Sequence, residues 1–258
     1  MTTQKIPTTT LRPDVTIPML GFGTWQITGT AAYDAVRTAL ELGYRHIDTA
    51  RMYGNEDQVG SAVADSGLDR GQVFITTKLP PNEAADPQGS LDASLAGLGT
   101  DYVDLWLIHW PPPGSSPDVW AHFVDAQREG KVRAIGVSNY SLDQIDELTA
   151  ATGVTPAINQ IPWSPSDHDA ALVDGHRRRG VVLEGYSALK RTNLGDPVLT
   201  EIAARHDVSP AQVVMRWHLD TGVVVIPKSV HRDRIAANID VTQFSLSAEE
   251  VEQLNALG

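Results

Sequence analysis

Eight short apolar runs recur along the chain: PMLGFGTW, RHIDTA, VFITTK, VDLWLIHW, VRAIGVSN, PAINQIPW, VVLEGYS and VVVIPKS. Runs that do not alternate with polar residues read as strands buried on both faces, as in parallel sheets covered by helices. Helical patterns lie between them. Ala32, Ala35, Val36, Ala39 and Leu40 make one stripe at helical spacing, closed by Gly43; Leu91, Leu95 and Leu98 make another, closed by Gly99. Ser209-Pro210 reads as an N-cap followed by the first helical residue, and Ser247 with Glu250 as a capping box. An open doubly wound sheet and a closed barrel both satisfy this alternation, and eight strands in 258 residues favour the barrel. The expected fold is α/β, a (β/α)8 TIM barrel. Ahead of the first strand, TTTLRPDVTIPM reads as two short strands joined at Arg12-Pro13-Asp14, a β-hairpin closing the barrel bottom. No linker or low-complexity stretch divides the chain, so residues 1–258 are expected to form one domain.

Composition excludes several partners. Hydrophobic residues make up 41% and charged residues 20%, ordinary for a chain with a full core. The formal net charge of -12 repels nucleic acid and anionic membrane surfaces. There are no cysteines, which removes disulfides, thiolate nucleophiles and cysteine zinc sites. MTTQKIPTTT has no apolar signal region, and no window approaches the ~18 apolar residues of a membrane span. A cytoplasmic location is expected, and Asn139-Tyr140-Ser141 is read as a chance sequon.

Seven of the runs end in a polar or ionisable residue: Asp48, Lys78, His109, Asn139, Gln160, Tyr186 and Lys228. In a parallel barrel the C-terminal strand ends converge on one face, where active sites are built. One such residue is ordinarily a strand end bonding its own loop; seven together weaken that account. Tyr53, just beyond Asp48, adds a phenol. With a pKa of about 10 it donates a proton poorly near neutrality unless a cation lies beside it. Lys78, ending the next strand, is such a cation. At ~4 Å and an effective dielectric of ~20 one charge is worth ~4 kcal/mol, about three pKa units. A carboxylate nearer than the lysine would cancel that gain, so Asp48 is expected to contact Lys78 rather than Tyr53. His109 can reach the same pocket to hold a substrate oxygen, and Trp25 and Trp110 supply apolar walls.

Rival chemistries fit poorly. A barrel glycosidase needs two carboxylates at strand ends. Only Asp48 qualifies, because Glu184 sits two residues short of the rim and is expected to be structural. The eight histidines show no HxH or HExxH pattern, so no metal site is expected. GFGTWQ lacks the third glycine of the dinucleotide fingerprint. The run His176-Arg177-Arg178-Arg179 precedes a strand and therefore lies at the barrel's opposite end, as a solvated helix terminus.

GFGTW, HIDTA followed by YGNE, TTK, IHW, GVSN, NQI, YSAL and IPKSV together resemble the aldo-keto reductases, in family order from about position 21 onward. The short loop WPPPGSSPD after His109 is similar to that of bacterial members. The resemblance implies hydride transfer between a nicotinamide cofactor and a small-molecule carbonyl by a monomer, with Asp48, Tyr53, Lys78 and His109 as the catalytic tetrad. It also implies cofactor contacts. Ser138, Asn139 and Gln160 would hold the carboxamide, Tyr186 would stack on the nicotinamide, and Ser187 and Leu189 would follow it. Lys228, Ser229 and Arg234 would grip the adenosine 2′-phosphate, with Val230 among the cofactor contacts and Asn238 near the adenine. KSVHRDR carries three Lys/Arg against one Asp, which suits a phosphate, so NADPH is expected ahead of NADH. Two departures stand out. Ala237 replaces a glutamate that contacts the adenine in many relatives, and the chain stops at Gly258 where relatives continue into a tail over the substrate pocket. An open pocket of modest selectivity is expected. The alternative is an NADPH-binding sensor or regulatory protein on the same fold, because fold does not settle function.

Overall fold

The computed structural model describes residues 6–112 and 116–257. The chain opens with an antiparallel hairpin, β1 (Thr8–Arg12) and β2 (Val15–Pro18). Then come β3 (Phe22–Gly23), α1 (Thr30–Glu41), β4 (His46–Asp48), α2 (Glu56–Ala64), β5 (Phe74–Leu79), α3 (Pro87–Leu98), β6 (Val103–Ile108) and α4 (Ser116–Arg128). The second half runs β7 (Val132–Ser138), α5 (Leu142–Thr152), β8 (Ile158–Pro162), α6 (Ala170–Arg178), β9 (Val182–Tyr186), α7 (Ala188–Arg191), α8 (Pro197–Arg205), α9 (Pro210–Thr221), β10 (Val224–Val225), α10 (Arg232–Ile239) and α11 (Ala248–Asn255).

Strands β3 to β10 pair in parallel, each with its neighbour in sequence. The barrel closes through a parallel bridge between Leu20 and Val225, with the Gly21 N–H donating to the Val225 carbonyl at 2.9 Å. The expected (β/α)8 barrel is therefore present, with all eight apolar runs contributing a strand. The first and last runs supply only two residues of strand each; beyond them Trp25 of the first and Ile226, Pro227 and Lys228 of the last line the cavity described below.

Two layers of apolar packing hold the barrel. The larger core lies between the outer strand faces and the helices, and includes the whole Ala32 to Leu40 stripe of α1. A smaller one plugs the barrel end: Leu11, Val15 and Ile17 of the hairpin pack on Phe74, Leu105, Leu107, Ala134, Ile158 and Val224. The hairpin thus covers the bottom, as its sequence suggested. Gly21 is required where the first strand meets this interior, since a Cβ there would lie 2.3 Å from Nδ1 of the buried His46. Capping boxes start α9 at Ser209 and α11 at Ser247, and Gly99 ends α3 in the left-handed region.

One expectation is corrected here. His176 is buried rather than solvated: its ring nitrogens meet the Leu172 carbonyl at 2.8 Å and the Asn159 side chain at 2.9 Å. The arginines around it behave as a surface, Arg177 pairing with Asp174 and Arg179 with Asp146. Among the described residues no helix is long and apolar enough to cross a membrane, and no cluster of three or more His, Asp or Glu could hold a metal ion. The loop after His109 lies partly outside the described residues, as does Gly258.

Candidate active site

The loop that carries Tyr53 is fixed by the residues around it. After β4, a short 3-10 turn over Arg51–Tyr53 ends at Gly54, whose φ of 64° is the left-handed conformation glycine adopts freely. Asn55 is fully buried and pins the turn. Its amide donates to the carbonyls of Thr24 (3.0 Å) and Ile27 (2.8 Å), and its oxygen accepts from Thr49 at 2.7 Å. Glu56, also buried, accepts from Thr77 at 2.5 Å, one residue before Lys78. The Thr49, Gly54, Asn55 and Glu56 pattern is therefore structural support that sets Tyr53 over the barrel mouth.

Beneath it lies an ion pair. Lys78 is wholly buried, and its Nζ donates to Asp48 Oδ1 at 2.7 Å and to the Thr49 carbonyl at 2.8 Å. The expected partnership of Asp48 with Lys78 is thus what the side chains adopt. Burial opposes a charged lysine, but Asp48, Tyr53 and Glu184 outweigh it and hold the ammonium above its ordinary range. The ammonium sits 5.1 Å from the centroid of the Tyr53 ring. His109 meets the same ring edge-on, centroids 5.7 Å apart. Burial and then Lys78 push His109 down to about 3, so it is a neutral imidazole at any ordinary pH.

The sign of the Tyr53 shift differs from the sequence expectation. Lys78 does lower the phenol, but burial raises it more, and Asp48 and Glu184 add to the rise, so the net direction is upward. The nearby cation alone would lower the phenol; desolvation reverses the sign. Tyr53 is accordingly held as the protonated phenol.

These groups form the floor of a cavity of about 630 Å3. Asp48, Tyr53 and His109 face it, with Trp25, Met52 and Trp110 on the outer wall and Asn139, Gln160, Tyr186, Ser187, Leu189 and Lys228 along one side. Gln26, Lys190, Ile226 and Pro227 also line it. Of the four non-glycine residues with positive φ among those described, Gln26, Asn139 and Ser187 are on this lining. Strained backbone collected at one cavity is the pattern of a functional site.

Other expected site residues stand back from the wall. Ser138 is buried; its hydroxyl donates to the Gln160 carbonyl at 2.8 Å and accepts from Asn139 at 2.9 Å. The Asn139 amide also donates to the His109 carbonyl, and its oxygen accepts from the Tyr186 hydroxyl at 2.8 Å. Ser229 and Val230, just before α10, Arg234 in its first turn and Asn238 in its last turn lie beyond the cavity. Arg232 is committed to Glu41 at 3.0 Å, whereas Lys228 and Arg234 have no ion-pair partner among the described residues.

Sequence reasoning missed Met52, Gln26 and Lys190. The Lys190 ammonium reaches across the mouth to within 5.7 Å of the Trp25 ring. No local pattern marks a rim residue, although the left-handed turns at Gln26 and Ser187 come where strands give way to loops. Glu184, expected to be structural, contacts the site through Gln160, whose Nε2 donates to Asp48 Oδ2 at 2.8 Å and to Glu184 Oε2 at 3.0 Å.

The parallel barrel thus carries buried Asp48 and Lys78 beneath Tyr53 and His109 at its C-terminal mouth. The aldo/keto reductase family model matches residues 19–258, and the chain belongs to that family. A glycerol 2-dehydrogenase (NADP(+)) of Saccharomyces cerevisiae is 42% identical, over 93% of this chain and 86% of the relative. The crystal structure of an aldo/keto reductase from Brucella melitensis superposes with a TM-score of 0.94 at 42% identity, covering 98% of this chain and 100% of that one. A Bombyx mori aldo-keto reductase in complex with NADP gives a TM-score of 0.92 at 34% identity, covering 98% of this chain and 93% of its own. The protein is an oxidoreductase of a family that acts on small carbonyl compounds.

Proposed function

We propose that the protein is an NADPH-dependent carbonyl reductase in which Tyr53 is the general acid. The observation that carries this reading is the buried Asp48–Lys78 pair, 2.7 Å apart, directly under the Tyr53 ring. A bound nicotinamide dinucleotide supplies the hydride to the carbonyl carbon. Tyr53 gives its phenolic proton to the carbonyl oxygen, and the phenolate left behind gains most from Lys78, whose charge is wasted on the neutral phenol. Asp48 keeps the lysine charged. His109, neutral and edge-on to the phenol, orients the carbonyl oxygen by hydrogen bonding. In the reverse direction the phenolate is the base.

The residues present suit the cofactor. Tyr186 offers a half-buried ring at the cavity wall, and Ser187 leads away from it in the left-handed conformation. Lys228 and Arg234 are exposed cations with no ion-pair partner among the described residues, in a chain of net charge -12, as a 2′-phosphate requires. The NADP named for the yeast and silkworm proteins supports the same choice. Trp25, Met52 and Trp110, 46%, 56% and 45% exposed, make an open apolar wall, which favours a broad range of aldehydes and ketones.

The test is loss of NADPH absorbance with a panel of small aldehydes and ketones of graded bulk, and NADH in parallel. Turnover with NADPH across the panel is expected. Tight binding of NADPH with no reduction of any carbonyl would replace this reading by the sensor or regulatory one.

A further inference from the structure

Soft nucleophilic sulfur is scarce in this chain, which has no cysteine and four methionines. Met215 is fully buried and Met19 is 8% exposed, both inside the larger apolar core, and Met1 lies outside the described residues. Met52 is 56% exposed. Among the described residues, an oxidant arriving from solvent therefore meets one open thioether.

The place of that sulfur gives its oxidation a consequence. Met52 is the middle residue of the 3-10 turn Arg51–Tyr53, directly before the phenol, and it lines the cavity together with Trp25 and Trp110. Its neighbours, rather than Met52 itself, hold the turn. Arg51 pairs with Glu83 at 3.4 Å, the Tyr53 N–H donates to the Ala50 carbonyl at 2.9 Å, and the buried Asn55 clasps the chain beyond Gly54. An oxygen added to an exposed side chain on such a turn alters the wall and leaves the fold standing. The alteration is one of polarity, because a thioether is apolar and polarisable whereas a sulfoxide is a strong dipole that accepts hydrogen bonds. An apolar substrate packed on the wall would desolvate that dipole and offer it no donor. A hydroxylated substrate brings its own.

We propose that Met52 is a site of reversible oxidation by hydroperoxides, and that its sulfoxide turns the cavity from apolar toward hydroxylated carbonyl substrates. A sulfur lone pair attacks the outer peroxide oxygen and the O–O bond breaks, so that the sulfur is oxidised by two electrons as the peroxide is reduced. The proton of the transferred oxygen passes to the departing oxygen, which leaves as an alcohol, or as water from hydrogen peroxide. Reduction by two thiols, which become a disulfide and release water, restores the thioether. The change in selectivity rests on the functional reading above; the oxidation itself does not.

The experiment treats wild type and Met52→Leu with hydrogen peroxide, removes the peroxide, locates added oxygen by peptide mass spectrometry, and measures kcat/KM with NADPH for hexanal and for glyceraldehyde. In wild type the Met52 peptide should gain one oxygen before those of Met19 and Met215, and the hexanal to glyceraldehyde ratio should fall about fivefold. Both epimer-specific methionine sulfoxide reductases with dithiothreitol should restore it. Met52→Leu, compared with its own untreated sample, should keep its ratio. Uptake of oxygen by the buried methionines ahead of Met52 overturns the proposal, as does an oxidised Met52 with an unchanged ratio. An equal fall in Met52→Leu also overturns it by placing the effect elsewhere. Wild type that reduces neither aldehyde before treatment fails the functional reading and the selectivity with it, while the mass spectrum still decides the oxidation.

Discussion

Lys78 and Asp48 share a 2.7 Å ion pair from which solvent is excluded on both sides, under the ring of the one phenol at the cavity floor. Neither charge is solvated, so each depends on the other. Removing one partner of such a pair strands its mate. Asp48→Asn is expected to destabilise the fold by about 3–5 kcal/mol in urea denaturation and to depress turnover sharply. The double variant Asp48→Asn/Lys78→Met should recover much of the stability and none of the activity. Equal stability of Asp48→Asn and wild type would refute the pairing.

His109 is held neutral by burial and by Lys78. Its ordinary titration near 6.5 is therefore absent from the folded protein. The pH profile of kcat/KM should show no ionisation between pH 5 and 7.5 that disappears in His109→Asn, while the variant's kcat/KM falls about 10–100-fold from the lost hydrogen bond to substrate. A wild-type break near pH 6.5 that vanishes in His109→Asn contradicts the assignment.

Glu184 gives stability a definite pH sign. Its folded value, about 8, lies above the ordinary 4.5, so the folded state keeps a proton that the unfolded chain releases. The contribution is complete below pH ~4.5 and is lost as pH rises to ~8, at up to ~1.4 kcal/mol per unit. Glu184→Gln carries no such titration. Its stability relative to wild type should therefore improve as pH is raised from 5 to 9, by denaturation at each pH. A difference that stays flat, or moves the other way, shows the acid to be ionised in the fold.

How much of this was readable beforehand follows from periodicity. Parallel strands covered on both faces leave continuous apolar runs, so all eight strands were visible, as were the polar residues that end them. The Asp48–Lys78 contact followed from charge arithmetic on neighbouring strand ends. The direction of the Tyr53 shift did not, because burial depth is a tertiary quantity. Glu184 was set aside for lying two residues below the rim. In a strand, residues two apart share a face, so it points inward like Tyr186, but its alignment opposite Gln160 depends on a β8–β9 register that no single strand encodes. His176 was taken for a solvated charge because its neighbours are arginines, while its spacing of four from Leu172 placed it on the inner face of α6.

Among the described residues Arg234 and Lys228 have no ion-pair partner, whereas Arg232 is occupied by Glu41. Arg234→Ala should weaken NADPH binding by about tenfold and leave NADH nearly unchanged, whereas Arg232→Ala should affect neither. Titration of intrinsic fluorescence with both dinucleotides checks this. Loss of NADH affinity equal to that for NADPH would move the 2′-phosphate away from Arg234.

The most direct measurement of the central claim is single-turnover reduction of a small aldehyde by wild type and by Tyr53→Phe, with NADPH affinity measured on the same preparations. If Tyr53 is the proton donor, the variant binds NADPH as wild type does and its reduction rate falls by at least ~100-fold, the usual worth of general acid catalysis. A Tyr53→Phe protein that reduces the aldehyde at near the wild-type rate would contradict the account and move the acid to another group at the cavity floor.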